Sequence, residues 1–324
     1  MTGLAVVIVT SNPGVNLTKC LASLAKQSFT EFEVTVIYSG CTAPDHLASP
    51  TKGHLGQTRL ITAANRGYGA ACNIGARYVY SATYLVFLND DTELHPDCLR
   101  SLYTSLTKDG NSIFQPLLFH EYARRLMRGN PCDIYGAAGL GFYGNCGSGR
   151  FYVSGASIAM SKKIFDSLRG FDEELFLYHD DVDLSWRARL MGYGISCSES
   201  ALCLHTGASS SKTIPHEVKF YLTQRNRIRV MIKNYSTRRM LLRVTVACTM
   251  ILAGAIFFTI SARRISYVTS TCRAFMWNLL ELKGTLMERY RVQRSRIQDD
   301  AAVERSMSKF SMDLCVLKKH IIGT

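Results

Sequence analysis

The sequence lacks several patterns that would assign its chemistry at once. Its eleven cysteines include no Cys-x-x-Cys pair, and no Walker A pattern occurs, which argues against a zinc ribbon and a P-loop nucleotide hydrolase. No internal repeat is visible, and no basic residue precedes the first apolar run, Leu4–Val9, so we expect no secretory signal. Scattered cysteines in a chain of 324 residues favour free thiols and a reducing compartment.

Acidic residues are scarce only in the last third of the chain. From Arg225 to the C-terminus there are 19 Lys and Arg against 6 Asp and Glu, whereas residues 1–224 carry 19 of each. The net charge of +13 therefore belongs to the C-terminal part. This shift predicts one domain of residues 1–224 and a basic helical region of residues 225–324 that meets an anionic partner. On this division, a cut after Asn234 would leave the first domain soluble.

Charge is absent from Val244–Ala262, a run of 19 residues bracketed by arginines. Its length allows a transmembrane helix, but basic residues on both sides give no orientation. Because many more basic residues follow, we prefer an interfacial or re-entrant helix, and the amphipathic stretch Ala274–Arg296 suits the same anionic membrane surface. We therefore expect a peripheral or monotopic protein on the cytoplasmic side of the cell membrane, with no nucleic-acid partner. A single transmembrane helix is the alternative.

Strand and helix patterns alternate through the first part of the chain. We predict strands at Leu4–Val9, Glu33–Tyr38 and Tyr84–Leu88, and helices at Asn16–Gln27 and Gly67–Ser81. Such alternation predicts an α/β sheet that binds its ligand at the carboxyl ends of the strands.

Polar side chains follow two of these strands. Asn89, Asp90 and Asp91 come directly after the strand that ends at Leu88, and Thr10 and Asn12 lie in the turn after the first strand. An Asx turn leading into a helix would explain the carboxylates structurally. Alternatively, carboxylate and phosphate oxygens are suitable ligands for Mg²⁺ or Mn²⁺, which makes this edge a candidate metal and nucleotide site.

The stretch Phe171–Ile195 combines six acidic residues with large apolar ones. Its second half predicts a helix that begins near Asp180, because apolar residues recur there every four positions. Asp180 and Asp183 would then cap the helix and favour its positive end. Asp181 is explained less well by capping, and a carboxylate at such a position is a candidate general base.

This stretch resembles the acidic motif of inverting family 2 glycosyltransferases of the GT-A fold, especially the rhamnosyltransferase-like branch. The likeness is carried by Arg169–Glu173 (RGFDE) and Asp180–Arg187 (DDVDLSWR). It implies a GT-A fold, a mixed and mostly parallel sheet flanked by helices, here followed by a membrane-associating helical region. It also implies that Asp181 is the catalytic base. Leu88–Thr92 resembles the family's metal motif, which implies that Asp91 binds a divalent cation on the sugar diphosphate.

The segment Asn65–Gly75 resembles a family stretch that lies beside the nucleotide. Its glycines, Gly67 among them, would let the backbone approach the ligand, and Asn65 and Asn73 would offer polar contacts. A dinucleotide fingerprint fits poorly, because the last glycine of that motif is missing. Helix packing through small residues is the structural alternative.

Three further residues complete the implied site. Where the family usually has an acid that contacts the base, this chain has Tyr38. Tyr38 would hold the base by stacking or hydrogen bonding, or the nucleotide preference has changed. By the same resemblance, His205 joins the metal or the diphosphate, and Arg225 holds the leaving diphosphate, for which a guanidinium fork is well shaped.

The resemblance implies a metal-dependent transferase that moves a hexose, with rhamnose as a candidate, from a nucleoside diphosphate sugar. The acceptor would be a hydroxyl of a lipid-linked or cell-surface glycan, as in the synthesis of cell-envelope polysaccharide. Two alternatives stay open. Tyr38 makes a catalytically degenerate sugar- or nucleotide-binding relative conceivable, and the basic C-terminal region allows a membrane-anchored scaffold.

Overall fold

The computed structural model describes residues 3–43, 58–121, 124–138, 150–207 and 214–322. Most of the glycine-rich segment 136–149, which the sequence suggests is a loop near the acceptor, lies outside these ranges. The chain divides into two compact units. The first unit comprises residues 1–129, 153–184 and 193–213, and the second comprises residues 130–152, 185–192 and 214–324.

The first unit is built on a sheet of nine strands in the described residues. The strands are β1 Leu4–Thr10, β2 Phe32–Ser39, β3 Thr58–Ala63, β4 Tyr84–Asn89, β5 Thr92–Leu94, β6 Ser112–His120, β7 Arg125–Met127, β8 Ser157–Ser161 and β9 Gly194–His205. Their order is β3-β2-β1-β4-β8-β6-β9-β5, with β7 paired to β6. β3, β2, β1 and β4 run parallel, and β8 then joins β4 in the antiparallel direction.

The apolar sequence of the N-terminal strand suits its position inside this sheet. All seven residues of β1 are buried, and Val6 pairs with Val34 on one side and Val86 on the other. A strand covered on both faces reads as an unbroken apolar run, which is the pattern of Leu4–Val9. The predicted α/β fold is confirmed.

Helices cover the sheet of the first unit. They are α1 Val15–Ala25, α2 Tyr68–Arg77, α3 Cys98–Lys108, α4 Lys162–Ser167 and α5 Asp180–Leu190, and the chain passes into the second unit within α5. A short 3₁₀ turn covers Glu173–Leu175. In α2 a Cβ on Gly75 would lie 2.3 Å from Val7 Cγ1, so this glycine allows close packing of helix on strand.

The second unit is mainly helical. Its helices are α6 His216–Asn234, α7 Thr237–Ala262, α8 Ser266–Leu280, α9 Leu282–Arg294, α10 Asp300–Glu304 and α11 Met312–Ile322. Trp186 packs edge-on against Tyr235 and Phe151, with ring centroids 4.8 and 5.5 Å apart. The domain boundary expected at 224/225 falls within α6, and segments from the middle of the chain join the C-terminal helices in this unit.

Helix α7 contains the apolar run that the sequence analysis singled out. Its most apolar 18 residues have a mean hydropathy of 2.1, and 17% of them are buried. Within the described ranges, α7 is the one helix long and apolar enough to cross a membrane. Its buried residues Ala247, Ile251 and Ala255 recur every four positions, and α7 packs on α6 and α8. One face is therefore covered by protein, and the remaining residues are half-buried or exposed.

The cysteines largely match the expectation of free thiols. Nine of those described, from Cys20 to Cys272, are not in a disulfide. Cys315 in α11 is disulfide-bonded, which differs from the uniformly reduced chain that the scattered spacing suggested.

Candidate active site

Two buried carboxylates follow the end of β4. Because β1 and β4 are parallel and end together, Thr10 at the end of β1 reaches the residue after Asn89. Its hydroxyl donates a hydrogen bond to Asp90 Oδ2 at 2.5 Å. Asp90 and Asp91 are only 4% and 6% exposed. Thr10 therefore positions Asp90, and the sheet edge holds both carboxylates where the sequence predicted a site.

The fold brings His205 to Asp91. β5 pairs antiparallel with β9 so that Thr92 lies opposite His205. His205 Nε2 lies 3.3 Å from Asp91 Oδ1, and the backbone N–H of Thr206 donates to Asp91 O at 3.1 Å. The two residues expected to bind metal are separated by more than a hundred positions in sequence, and they meet here.

His120 belongs to the same cluster, although sequence reasoning did not select it. β6 and β9 pair in parallel with His120 opposite His205, and the two rings meet edge-on at 4.9 Å. Burial, and then His205, lowers the pKa of His120 below its ordinary value, which favours a neutral imidazole. A histidine directly after the apolar stretch Ser112–Phe119 was the available signal, but only strand pairing identifies its neighbour.

The Asp91–His205 pair suits a cation that is shared with a ligand. Among the described residues, no group of three or more His, Cys, Asp or Glu side chains converges to form a metal site. A carboxylate oxygen and an imidazole nitrogen at one point leave most coordination positions to diphosphate oxygens and water. Of the two expected ions, Mn²⁺ fits better, because Mg²⁺ strongly prefers oxygen ligands.

Asp181 lies in the first turn of α5, which begins at Asp180 as the sequence predicted. Its Oδ2 accepts a hydrogen bond from the backbone N–H of Gly155 at 3.0 Å, and its Oδ1 accepts one from Val182 N–H at 2.8 Å. Burial raises the pKa of Asp181 to about 6, while these backbone bonds oppose the shift. The group is thus mostly ionised at neutral pH and still basic enough to take a proton.

Asp180 differs from its neighbour in charge state. Burial, and next the Asp181 carboxylate, raises the pKa of Asp180 to about 8. At neutral pH Asp180 therefore keeps its proton and Asp181 carries the negative charge. Asp183 is fully buried in the same turn, and its capping role stays a prediction.

A short turn, residues 154–157, joins the two acidic segments. Asn89 N–H donates to Ala156 O at 3.0 Å, and the adjacent Gly155 N–H binds Asp181. The segment after β4 is therefore bonded to this turn through the Asn89 backbone, and the start of α5 is bonded to it through the Asp181 carboxylate.

The segment before α5 adopts an uncommon backbone conformation. Phe176, Tyr178 and His179 have φ angles of 61°, 69° and 64°, in the left-handed region that non-glycine residues rarely adopt. Such conformations cost free energy and persist only where surrounding contacts hold them, often at functional sites.

The segment Asn65–Gly75 supplies some of those contacts. Asn73 Oδ1 accepts from Phe171 N–H at 2.9 Å, and its Nδ2 donates to Phe171 O and to Glu173 Oε1. Asn65 Oδ1 accepts from Gly67 N–H at 3.1 Å. A Cβ on Gly67 would lie 2.1 Å from Phe176 O. These residues support the acidic stretch, and their contact with a nucleotide stays a prediction.

The remaining candidates lie in contrasting surroundings. Tyr38 is fully buried, and its hydroxyl has no hydrogen-bond partner in the parts of the chain that are described. Stacking on a base would require this side chain to move. Asn12 is exposed. Arg225 lies in the second unit, where its guanidinium carbon is 4.4 Å from the centroid of the Trp277 ring. Their ligand contacts stay predictions.

An α/β sheet with carboxylates after a central strand and at a helix start is the arrangement that the GT-A class would give. Residues 84–282 match glycosyl transferase family group 2, and residues 5–143 match glycosyl transferase family 2. The first of these matches covers more than half of the chain. The chain belongs to this glycosyltransferase family.

One curated relative is the low-salt glycan biosynthesis hexosyltransferase Agl10 of Haloferax volcanii, 21% identical over 178 residues. The match covers 52% of this chain and 58% of the relative, so it spans little more than half of that protein.

Two solved structures share the fold over almost the whole chain. S. aureus TarS 1–349 with UDP-GlcNAc has a TM-score of 0.59 at 14% identity, covering 99% of this chain and 92% of that one. The mannosyltransferase PcManGT from Pyrobaculum calidifontis with GDP-Man and Mn²⁺ has a TM-score of 0.52 at 13% identity, covering 99% and 87%. At these identities the likeness establishes the GT-A fold. The rhamnosyltransferase-like branch stays a prediction.

Proposed function

We propose that this protein is an inverting hexosyltransferase that uses a nucleoside diphosphate sugar. The observation that carries the proposal is the turn at 154–157, which bonds the segment of Asp90 and Asp91 on one side and Asp181 on the other. A transferase of this kind needs a charged group for the diphosphate and a base for the acceptor close together. Family membership and the donors bound by its structural relatives point the same way.

In the proposed reaction, Asp181 removes the proton of an acceptor hydroxyl as its oxygen attacks the anomeric carbon. The new bond to the acceptor forms as the bond to the diphosphate breaks, and its electron pair leaves with the nucleoside diphosphate. A single displacement inverts the configuration of the anomeric carbon. Asp180 keeps its own proton at neutral pH, so Asp181 faces no second negative charge from its neighbour.

Asp91 and His205 would hold a divalent cation, which would neutralise charge on the departing diphosphate. Thr10 orients Asp90 through its hydroxyl hydrogen bond. Arg225 is proposed as a further contact of the leaving diphosphate, on the strength of the family resemblance and the shape of the guanidinium group.

We further propose a glycan acceptor at a membrane surface, lipid-linked or on the cell surface. Support comes from α7, whose exposed apolar face borders a strongly basic region. Its opposite face packs on α6 and α8, and α6 contains the buried charged residues Arg225, Arg227 and Lys233. Charged residues next to α7 would be costly inside the hydrocarbon core of a bilayer. An in-plane position of α7 at the membrane interface is therefore favoured over a transmembrane span.

Thermal stabilisation by a panel of UDP-, GDP- and dTDP-sugars, with Mn²⁺, Mg²⁺ or EDTA, tests the proposal. We expect one nucleotide class to stabilise the protein in a Mn²⁺-dependent manner. Asp91→Asn should weaken this metal-dependent effect because a charged ligand is lost, while Asp166→Asn, on the exposed side of α4, should not.

A donor identified in this way is then supplied with lipid-linked glycan acceptors, and the released nucleoside diphosphate is measured. Donor binding without turnover on any acceptor would favour the degenerate binding relative. No stabilisation by any nucleotide sugar would contradict a transferase and favour a scaffold.

A further inference from the structure

The hydroxyl of Tyr68 makes a specific contact near the proposed base. It donates a hydrogen bond to Gly155 O at 2.6 Å, while the N–H of the same glycine donates to Asp181 Oδ2 at 3.0 Å. The carbonyl of Gly155 is thus bonded to Tyr68, and its amide is bonded to Asp181. Because a glycine backbone has many accessible conformations, bonds to both its N–H and its carbonyl restrict the two torsions that connect these groups.

Tyr68 is itself held in place. It is the first residue of α2, and its backbone N–H donates to Phe176 O at 2.9 Å, in the left-handed segment that precedes α5. Its ring meets Phe171 edge-on, with centroids 6.0 Å apart. Burial raises the pKa of the Tyr68 phenol well above its ordinary value, so the hydroxyl keeps the proton that it donates. Tyr68 therefore makes two contacts near Asp181. Its backbone N–H bonds the segment before α5, and its hydroxyl bonds Gly155, whose N–H binds the Asp181 carboxylate.

We propose that Tyr68 is a positioning residue that fixes Gly155, and through it the Asp181 carboxylate, in the orientation required for proton removal. This inference rests on the proposed role of Asp181 as base. It assigns the start of α2 a function at the acceptor side of the site, in addition to any contact with the nucleotide.

Other bonds of the turn do not make Tyr68 redundant. Ser154 N–H donates to Gln115 Oε1 at 2.9 Å, and Ala156 N–H donates to Ser154 Oγ at 3.3 Å. These bonds fix the residues on either side of Gly155. Among the hydrogen bonds resolved for Gly155 itself, only the one to Tyr68 reaches its carbonyl, so its loss leaves the peptide that follows held by the Ala156 N–H bond alone, at 3.3 Å.

Tyr68→Phe removes the hydroxyl and keeps the ring. Tyr193→Phe is a matched control, because Tyr193 is also half-buried in the first unit and its hydroxyl binds Ser167 Oγ at 3.2 Å. Hydrogen exchange followed by mass spectrometry on the full chain, without substrate, should show faster exchange in peptides covering residues 154–160 for Tyr68→Phe only. Unchanged exchange there would overturn the proposal.

Kinetics test whether the contact acts through Asp181. With the donor identified by the nucleotide-sugar panel, Tyr68→Phe should lower kcat about tenfold to a hundredfold and leave the donor KM nearly unchanged, as expected for a misplaced reacting group. In an Asp181→Asn background the same change should have little further effect, because there is no base left to position. An equal loss in both backgrounds would contradict positioning.

Gly155→Ala provides a rescue. Its Cβ would lie 3.6 Å from Asp181 Oδ2 and 3.8 Å from Tyr68 Cε1, in ordinary contact, and Gly155 is outside the left-handed region. Alanine restricts the backbone by itself. Added to Tyr68→Phe, it should restore part of kcat if Tyr68 acts by restraining Gly155. A kcat of the double variant below that of Tyr68→Phe alone would contradict this explanation. Full turnover of folded Asp181→Asn would instead refute the proposed base, whatever the exchange result.

Discussion

At the scale of single residues, two adjacent aspartates have different protonation states. Asp180 and Asp181 share a buried helix start, yet the N–H groups of Gly155 and Val182 favour only the charged form of Asp181. Burial with a charged neighbour leaves Asp180 protonated. A protonated and an ionised carboxyl side by side are a common arrangement where one acid must act as base.

Asp181→Asn should reduce turnover by at least about 10²–10⁴-fold, because asparagine cannot accept the acceptor proton. Donor stabilisation by Mn²⁺ and nucleotide sugar should persist. In the wild type, turnover should fall on the acidic side of about pH 6, as the pKa of Asp181 requires. Steady-state kinetics across pH, with Asp166→Asn as surface control, would measure both effects. Near-normal turnover in a folded variant would remove Asp181 as base.

Asp180→Asn should stabilise the protein increasingly as pH rises. The folded pKa of about 8 lies above the unfolded value of about 3.9, so the native state holds the proton more tightly. This contribution to stability is complete below about pH 4 and is lost between about pH 4 and pH 8, with a slope of up to about 1.4 kcal/mol per pH unit. Thermal unfolding of both proteins at pH 5 and pH 8 checks it, and a constant difference would contradict the assignment.

At the scale of elements, the start of α2 and the segment before α5 support each other. Gly67 has φ +93° and lies against Phe176, whose own φ is 61°. Neither conformation is favoured locally, so each depends on the other. A glycine that looks like a nucleotide-binding feature in sequence here makes room for protein backbone.

Gly67→Ala should therefore destabilise the fold by about 1–3 kcal/mol or more, since the new Cβ meets backbone atoms and the φ angle is strained. Gly110→Ala is the control, because its Cβ would meet only Leu106 O at 3.9 Å. Denaturant unfolding of both variants measures the difference. A Gly67→Ala protein as stable as the control would show that the segment before α5 can adjust.

At the scale of the whole molecule, the second unit is not an appendage made only of the C-terminal helices. Tyr235 donates its hydroxyl to Ile134 O at 2.7 Å, and Met312 N–H donates to Asp133 Oδ2 at 2.8 Å. Arg227 forms an ion pair with Asp313 at 2.8 Å. Asp133 and Ile134, in the middle of the chain, thus depend on the C-terminal region for their hydrogen-bond partners.

A cut after Asn234 should leave a poorly folded chain, contrary to the expectation from composition alone. The cut deletes the later helices and also the buried Tyr235, so Trp186 loses its ring contact and Ile134 O loses its hydrogen bond. Expression and thermal unfolding of residues 1–234 test this. In the full chain, Tyr235→Ala should cost about 3–5 kcal/mol, while the exposed Tyr290→Ala should cost little. A cooperative, soluble 1–234 fragment would refute the prediction.

Membrane association should depend on both charge and the exposed face of α7. We expect flotation with vesicles that contain anionic lipid, and partial release by salt, because each Lys or Arg near the surface contributes about 1 kcal/mol. Ile256→Glu with Ile260→Glu should abolish flotation, since both side chains are exposed. Val15→Glu, equally exposed on α1, is the control. A full-length protein that is soluble and does not float with such vesicles would contradict the proposal.

The sequence by itself determined much of this protein. An unbroken apolar strand, polar residues directly after strands and a periodic helix at Asp180 are local patterns, and each predicted its element because burial and backbone geometry act over a few residues. The charge shift and the uncharged run likewise predicted a basic, helical C-terminal part, although the compact unit that contains it also includes residues 130–152, 185–192 and 214–224.

Only the tertiary structure decided which residues meet. Strand pairing brings His205 to Asp91 and adds His120, and one backbone turn connects Asn89 to Asp181. The different protonation of Asp180 and Asp181 follows from burial and from partners far away in sequence. The assignment of residues 130–152 to the C-terminal helices depends on long-range packing for the same reason, because local sequence does not encode the contacts between distant segments.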